Sequence, residues 1–353
     1  AVALADALVQ RGHRVSVLTD ARGARFQSGV DVRAVPATRL SGGPVARALG
    51  AVRLGMGVLA AAWHLKRDRV RLLVGFGGYP SVPPVLAARL LGVPVVLVEQ
   101  NAVLGRANRR LAGMARVVAT AFPEVEALGS AAHRFTGIPV RPAVVAARAR
   151  PYRPSADEEP FHLLVFGGSQ GAHAFAETVP AACALLPANL RRRLRIVQQA
   201  RPEDETAVRA AYGDLAMDVE VAPFFDDLPA RMAASQLVIA RAGASTIAEL
   251  LTIGRPAVLV PYPHAMDDHQ TANARAIDAA GAAWLMPQPA FTAEALARRL
   301  ETVLTLPDCI AARAELAHSL GRTDAAERLA DLAESLLVPA KTAPGAALRS
   351  LAP

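Results

Sequence analysis

The chain has 353 residues, 52% of them hydrophobic and 20% charged, enough apolar mass for about two packed domains and too little charge for global disorder. Its net charge of +8 is carried almost wholly by arginine, Lys66 and Lys341 being the only lysines; this fits phosphorylated substrates, an anionic membrane, or simply a GC-rich coding bias. No aromatic RNA-binding signature or zinc-ligand spacing accompanies it, so no nucleic acid is expected, and Cys183 and Cys309 suggest neither a disulfide framework nor a metal site.

Residues 1–9 carry Leu4 and Leu8 at helical spacing, and Gly12 stops the helix. Residues 14–18 (RVSVL) alternate as a strand does. In a parallel sheet a strand and its phosphate-facing loop normally come before the first helix, so such a unit is expected to precede Ala1. LLVG at 72–75 is a buried strand running into Gly77-Gly78-Tyr79-Pro80. Residues 85–91 form a helix closed by Gly92, VPVVLV at 93–98 is a strand leading to Glu99-Gln100-Asn101, and 116–120 is a short strand. From 141 to 160 proline and charge replace the rhythm, which reads as a linker. A second series follows, with strands expected at 162–166, 194–198, 219–222, 237–240, 257–260 and 283–285, and a fraying tail at 339–353. The expected class is α/β: two doubly wound halves, 1–141 and 161–338, joined by 142–160 and facing a cleft beyond the carboxyl ends of their strands.

Three segments carry chemistry. In LLVFGGSQGA (163–172) a strand meets glycines and then a helix; glycine lets backbone approach a ligand, Ser169 offers a hydroxyl, and the helix N-terminus attracts phosphate. A structural tight turn is the competing reading, and the spacing is not the dinucleotide-binding GxGxxG. In IARAGASTIAE (239–249) Ser245 and Thr246 open a second helix after a strand and can serve a phosphate. Glu249 is placed either to accept from a ribose diol or to compensate the helix dipole. In PYPHAMDDHQTANA (261–274) Gln270 and Asn273 lie three apart on one helix face, and amides suit sugar hydroxyls. The pairs Asp226-Asp227 and Asp267-Asp268 and the nearby histidines match no metal spacing, so no metal or other cofactor is expected.

GGSQGA, RAGASTIAE and DDHQTANA, with FGGYPSVPP and VEQNAVLGRANR from the first half, resemble the MurG family in order and spacing over nearly the whole chain. The resemblance implies a GT-B glycosyltransferase, two Rossmann-like domains with UDP-N-acetylglucosamine (UDP-GlcNAc) held mainly by the second. It implies inverting transfer of GlcNAc to undecaprenyl-diphosphate-MurNAc-pentapeptide (lipid I), giving lipid II in peptidoglycan synthesis. Carried over, it has Asn101 reach the donor sugar, Arg141 contact the nucleotide or its phosphate, Ser169 bind the diphosphate and Phe225 meet uracil largely through backbone. Ala244, Ser245 and Thr246 would give N–H groups to the diphosphate, with Ile247 and Ala248 in the same turn; Glu249 would hold the ribose and Gln270 would read the sugar hydroxyls. Gly168, Gln170 and Asn273 are additional candidates. The family opens on a GGTGGH-type loop whose histidine is the usual general base, and the sequence contains nothing like it; the chain is therefore expected to bind donor yet transfer poorly. His13, His133 and His162 read as structural, and His173 as standing behind the phosphate loop.

Residues 47–69 interleave Leu49, Val52, Leu59 and Trp63 with basic residues. Such a helix packs on the sheet or lies in the headgroup plane of an anionic membrane. No uninterrupted apolar run reaches the roughly 18 residues of a membrane span. A lipid-linked acceptor favours the membrane reading, with the protein held peripherally on the cytoplasmic face of the inner membrane. A UDP-GlcNAc 2-epimerase of the same fold, which HQTAN and EQN fit less well, and a nucleotide-sugar-binding protein without catalysis are the competing functions.

Overall fold

A computed structural model describes residues 1–20, 29–38, 43–168 and 172–337; the tail expected at 339–353 lies outside them. The described strands are β1 Ser16–Thr19, β2 Asp31–Ala34, β3 Leu73–Gly75, β4 Val95–Glu99, β5 Val117–Thr120, β6 His133–Phe135, β7 Phe161–Phe166, β8 Leu194–Gln199, β9 Val219–Ala222, β10 Leu237–Ala240, β11 Ala257–Leu259 and β12 Ala283–Leu285. They form a β1-β2 pair, a sheet ordered β3-β4-β5-β6 and a sheet ordered β9-β8-β7-β10-β11-β12, with every described pairing parallel. Two α/β halves with parallel sheets are the GT-B architecture.

The apolar runs become strands because both faces of each sheet are covered. Leu163, Val165, Leu237 and Ile239 enter one core of the second half, while Leu164, Phe166, Val238 and Ala240 enter the other. Val95 and Leu97 divide from Val96 and Val98 in the same way in the first half. Numbered within the second half, its sheet runs 3-2-1-4-5-6, the doubly wound order. Its topological switch point lies between β7 and β10, where helices starting from those two strands diverge and open a crevice.

Several boundaries differ from expectation. The helix Val2–Gln10 ends where Gly12, at φ +84°, turns the chain and the His13 N–H bonds Leu8 O at 3.0 Å, so β1 starts two residues late. The helix Val82–Leu90 starts on Pro83 and Pro84, residues tolerated in a first turn that lacks N–H partners anyway. Inside the expected linker, Pro142–Ala147 is a helix, and Val144 is wholly buried in the same core as Ile247 and Leu250. The chain that follows is pinned by Arg255, whose guanidinium donates to the carbonyls of Arg150, Ala233 and Ile253; burial lowers its pKa to about 10. The helix Ala325–Leu337 returns to the first half: Leu329 and Ala330 share a core with Leu4, Val96 and Val117, and Arg11 reaches Asp331 at 2.6 Å.

The helix Pro44–Arg67 packs inward through Ala61 and Leu65, and at Gly57 a Cβ would lie 2.0 Å from Pro36 O. Over an 18-residue window it is apolar enough, and the helix long enough, to cross a membrane by length and composition, although Arg53 interrupts the apolar run. Its inner face is nevertheless committed to the domain.

The helix Ala244–Ile253 ends at Gly254, φ +75°, where a Cβ would stand 2.7 Å from the His318 Cβ. Gly254→Ala should therefore lower stability by about 1–3 kcal/mol. Gly213→Ala, where an added Cβ meets nothing within 4 Å, should leave the melting temperature unchanged or slightly higher. Equal melting temperatures for the two variants would contradict this packing.

Candidate functional site

The crevice at the switch point is lined by two strand-to-helix turns. After β7, Gly167 donates its N–H to Gln199 Oε1 at 3.1 Å and Gly168 takes φ +83°, a conformation that suits glycine and lets the backbone turn out of the sheet. Ser169 and Gln170 lie outside the described residues. After β10, Gly243 is the N-cap of Ala244–Ile253, and the first intrahelical bond runs from the Ile247 N–H to Gly243 O. The N–H groups of Ala244, Ser245 and Thr246 therefore point out of the helix end, a ready anion site. Ile247 stands apart from them, since its N–H is spent and its side chain is 2% exposed in the core; Ala248 is half-buried.

Glu249 and Arg141 meet where the helix Pro142–Ala147 packs against Ala244–Ile253. Arg141 Nε donates to Oε1 at 3.0 Å and Nη2 to Oε2 at 3.1 Å, a two-pronged pair that fixes the carboxylate plane. Phe225 is buried, with the Arg231 guanidinium 4.4 Å from its ring centre, which leaves only its backbone for a base; the neighbouring Phe224 is exposed. Gln270 Oε1 accepts from the Tyr262 N–H at 2.9 Å, so Nε2 is its ready donor. Gln270 is held there by a turn in which Asp267 and Asp268 both take positive φ (54° and 51°), and Arg106 from the first half closes on Asp267 at 2.7 Å.

Asn101 follows β4. Its N–H and Nδ2 donate to Glu99 Oε1 at 3.0 and 3.1 Å, while Glu99 Oε2 accepts from Gly105 N and Asn108 Nδ2, both at 2.9 Å. Asn273 does not share the open face of Gln270, contrary to the sequence expectation: it is 0% exposed and bonds Ala102 N, Asn101 Oδ1 and Ala242 O. The helix turns it toward the first half, where three polar groups use its amide.

Arg241 was not singled out among the sequence candidates. It follows β10 beside the second turn, half-buried between Phe175 and Tyr262, and donates to the carbonyls of Val260 and Pro261 at 3.2 Å; burial lowers its pKa. Its signal was the lone charge between the strand IA and the AGAS turn. Two of the histidines are paired with carboxylates. His13 Nε2 sits 2.7 Å from Glu334, away from the crevice, and His173 contacts Asp204 through Nδ1 at 2.8 Å and Glu177 through Nε2 at 3.3 Å. The hydrogen bond to Asp204 raises the pKa of His173. Among the described residues no group of three His, Cys, Asp or Glu is placed to hold a metal.

The profile of the glycosyltransferase family 28 N-terminal domain matches residues 1–120, and that of the family 28 C-terminal domain matches 162–329. The chain is 54% identical over 94% of its length, and 89% of the relative's, to UDP-N-acetylglucosamine--N-acetylmuramyl-(pentapeptide) pyrophosphoryl-undecaprenol N-acetylglucosamine transferase of Rhodospirillum centenum. The chain belongs to the MurG family. The protein of the same name from Paramagnetospirillum magneticum is 50% identical over 96% of this chain and 93% of its own. The crystal structure of Acinetobacter baumannii MurG superposes with a TM-score of 0.79 at 32% identity, covering 94% of each chain. Membership in the MurG family makes the chain a glycosyltransferase.

Proposed function

We propose that this crevice moves GlcNAc from UDP-GlcNAc to lipid I, with inversion, to form lipid II. What supports the reading is the β7/β10 switch point, beside which lie a helix N-terminus with free N–H groups and the Glu249–Arg141 pair, groups suited to a nucleoside diphosphate. Ala244, Ser245 and Thr246 donate to the diphosphate, the Gly168 turn faces it from the other strand, the family resemblance assigns Ser169 to the same group, Glu249 accepts from the ribose, and Phe225 offers its backbone to uracil. Gln270 Nε2 and Asn101 address the sugar. In a single displacement the acceptor hydroxyl attacks the anomeric carbon, its proton passes to a base, and the bond to UDP breaks; the helix N-terminus with Arg141 and Arg241 takes up the charge that develops on the leaving diphosphate. That charge is met by protein groups, so EDTA should leave the rate unchanged; a loss restored by magnesium would contradict this division of labour.

The stripe Leu49, Val52, Met56, Leu59 and Trp63 runs along one outer side of Pro44–Arg67 at three- and four-residue spacing, each residue exposed, with Arg53, Lys66 and Arg67 beside it. Because the opposite side packs on the domain, the helix lies in the headgroup plane rather than crossing it, and basic residues favour anionic lipid. The protein is thus peripheral, on the cytoplasmic face, where nucleotide sugars meet a lipid-linked acceptor. The division proposed for this work is 1–141 for acceptor and membrane, 142–160 as connection and 161–338 for donor.

A further inference from the structure

We infer that Asn273 is a positioning residue: it couples the two halves and fixes the amide of Asn101 in the one orientation that serves the donor sugar. The inference rests on the reading of Asn101 as a sugar contact.

The hydrogen-bond pattern admits a single arrangement. Asn273 lies on the helix His269–Ala279 of the second half and is 0% exposed. Its Oδ1 accepts from the Ala102 N–H at 2.8 Å, and a backbone N–H can only donate. Its Nδ2 donates to Ala242 O at 3.1 Å, and a carbonyl can only accept. Turning the amide over would set two donors and two acceptors face to face in a buried site, so its orientation is locked. The second Nδ2 hydrogen then goes to Asn101 Oδ1 at 3.1 Å.

Asn101 is locked in turn. Its Oδ1 faces a donor, and its Nδ2 faces Glu99 Oε1 at 3.1 Å. Glu99 is itself held by the N–H of Asn101, the N–H of Gly105 and the Nδ2 of Asn108. What remains of the Asn101 amide is one N–H and one lone pair, set between an anchor in the first half and an anchor in the second. Ala242 belongs to the turn whose next residues, Gly243 and Ala244, open the diphosphate helix. One buried amide thus ties the sugar residue of one half to the phosphate turn of the other. Asn273 has no N–H left for a ligand, so its influence on the sugar runs through Asn101.

The test is a double-mutant cycle on the full chain, reading kcat/KM for UDP-GlcNAc with UDP affinity measured in parallel. Asn101→Ala and Asn273→Ala should each lower kcat/KM about 10²-fold, the cost of a misplaced contact, and the double variant should fall no further. UDP, which lacks the sugar, should bind all three variants within about twofold of the parent. Multiplicative losses in the double variant would overturn the coupling while leaving Asn101 a sugar contact. Lost UDP affinity in Asn273→Ala would make the residue scaffold of the donor half and also overturn it. An undiminished Asn101→Ala would remove the sugar-contact reading and this inference with it. If the alanine variant yields no folded protein, Asn273→Ser is read by the same criteria.

Discussion

Glu249→Ala should weaken UDP binding by about 1–3 kcal/mol, roughly 5- to 150-fold, with little loss of stability. The carboxylate is 13% exposed and both of its oxygens are held by Arg141, whose own side chain is 56% exposed. Removing the glutamate leaves Arg141 in water at small cost. Removing Arg141 instead leaves a largely buried carboxylate unpaired, so Arg141→Ala should lower both the melting temperature and the affinity. The competing view, a carboxylate that only compensates the helix dipole, gives Glu249→Ala an unchanged affinity and a slightly lower melting temperature. Calorimetric titration with UDP separates the two, and unchanged affinity would sink the ribose assignment.

The double substitution Leu59→Glu with Trp63→Glu should cut partitioning onto vesicles containing phosphatidylglycerol by at least about 10²-fold. The side chains are 73% and 57% exposed, so their removal costs the fold little. Burying each in a membrane is worth about 1.5–3 kcal/mol, and each glutamate adds repulsion from anionic headgroups. Turnover of a short-chain acceptor in detergent should stay at the parental rate, because the stripe lies on the outer side of Pro44–Arg67. Sedimentation with vesicles reads the first quantity; undiminished binding would mean that another surface meets the membrane. Raised salt should weaken binding by the parent without abolishing it, since screening removes only the contribution of Arg53, Lys66 and Arg67.

The features legible in the sequence were local. A strand, a glycine and a helix start within ten residues suffice to mark the β7 and β10 turns, and Gly12 and Gly92 marked helix ends because a positive φ favours that residue. The misses have different physical causes. β2 and β6 (DVRA and HRF) are short and too polar to show alternation, and they become strands because a neighbour offers a ladder. The helix at 142–147 was hidden by proline, which reads as a breaker unless the first turn accommodates it. In the 44–67 helix Arg53 interrupts the apolar run, so its apolar character shows only when averaged over a window. Asn273 looked like a partner of Gln270 by spacing, yet its partners lie 31, 171 and 172 residues away, at separations that local pattern does not report. The pairing of Arg141 with Glu249, 108 residues apart, is of the same kind: sequence named both residues and only the fold joined them.

The most direct test of the transfer itself is a single-turnover reaction with protein in excess over lipid I and UDP-GlcNAc labelled in the sugar. The expected result is label passing slowly to the organic-soluble lipid in a β-linked disaccharide, with one UDP released for each sugar transferred and with EDTA present throughout. Bound UDP-GlcNAc with all label left in the aqueous phase, or label recovered as the 2-epimer of the sugar, would contradict it.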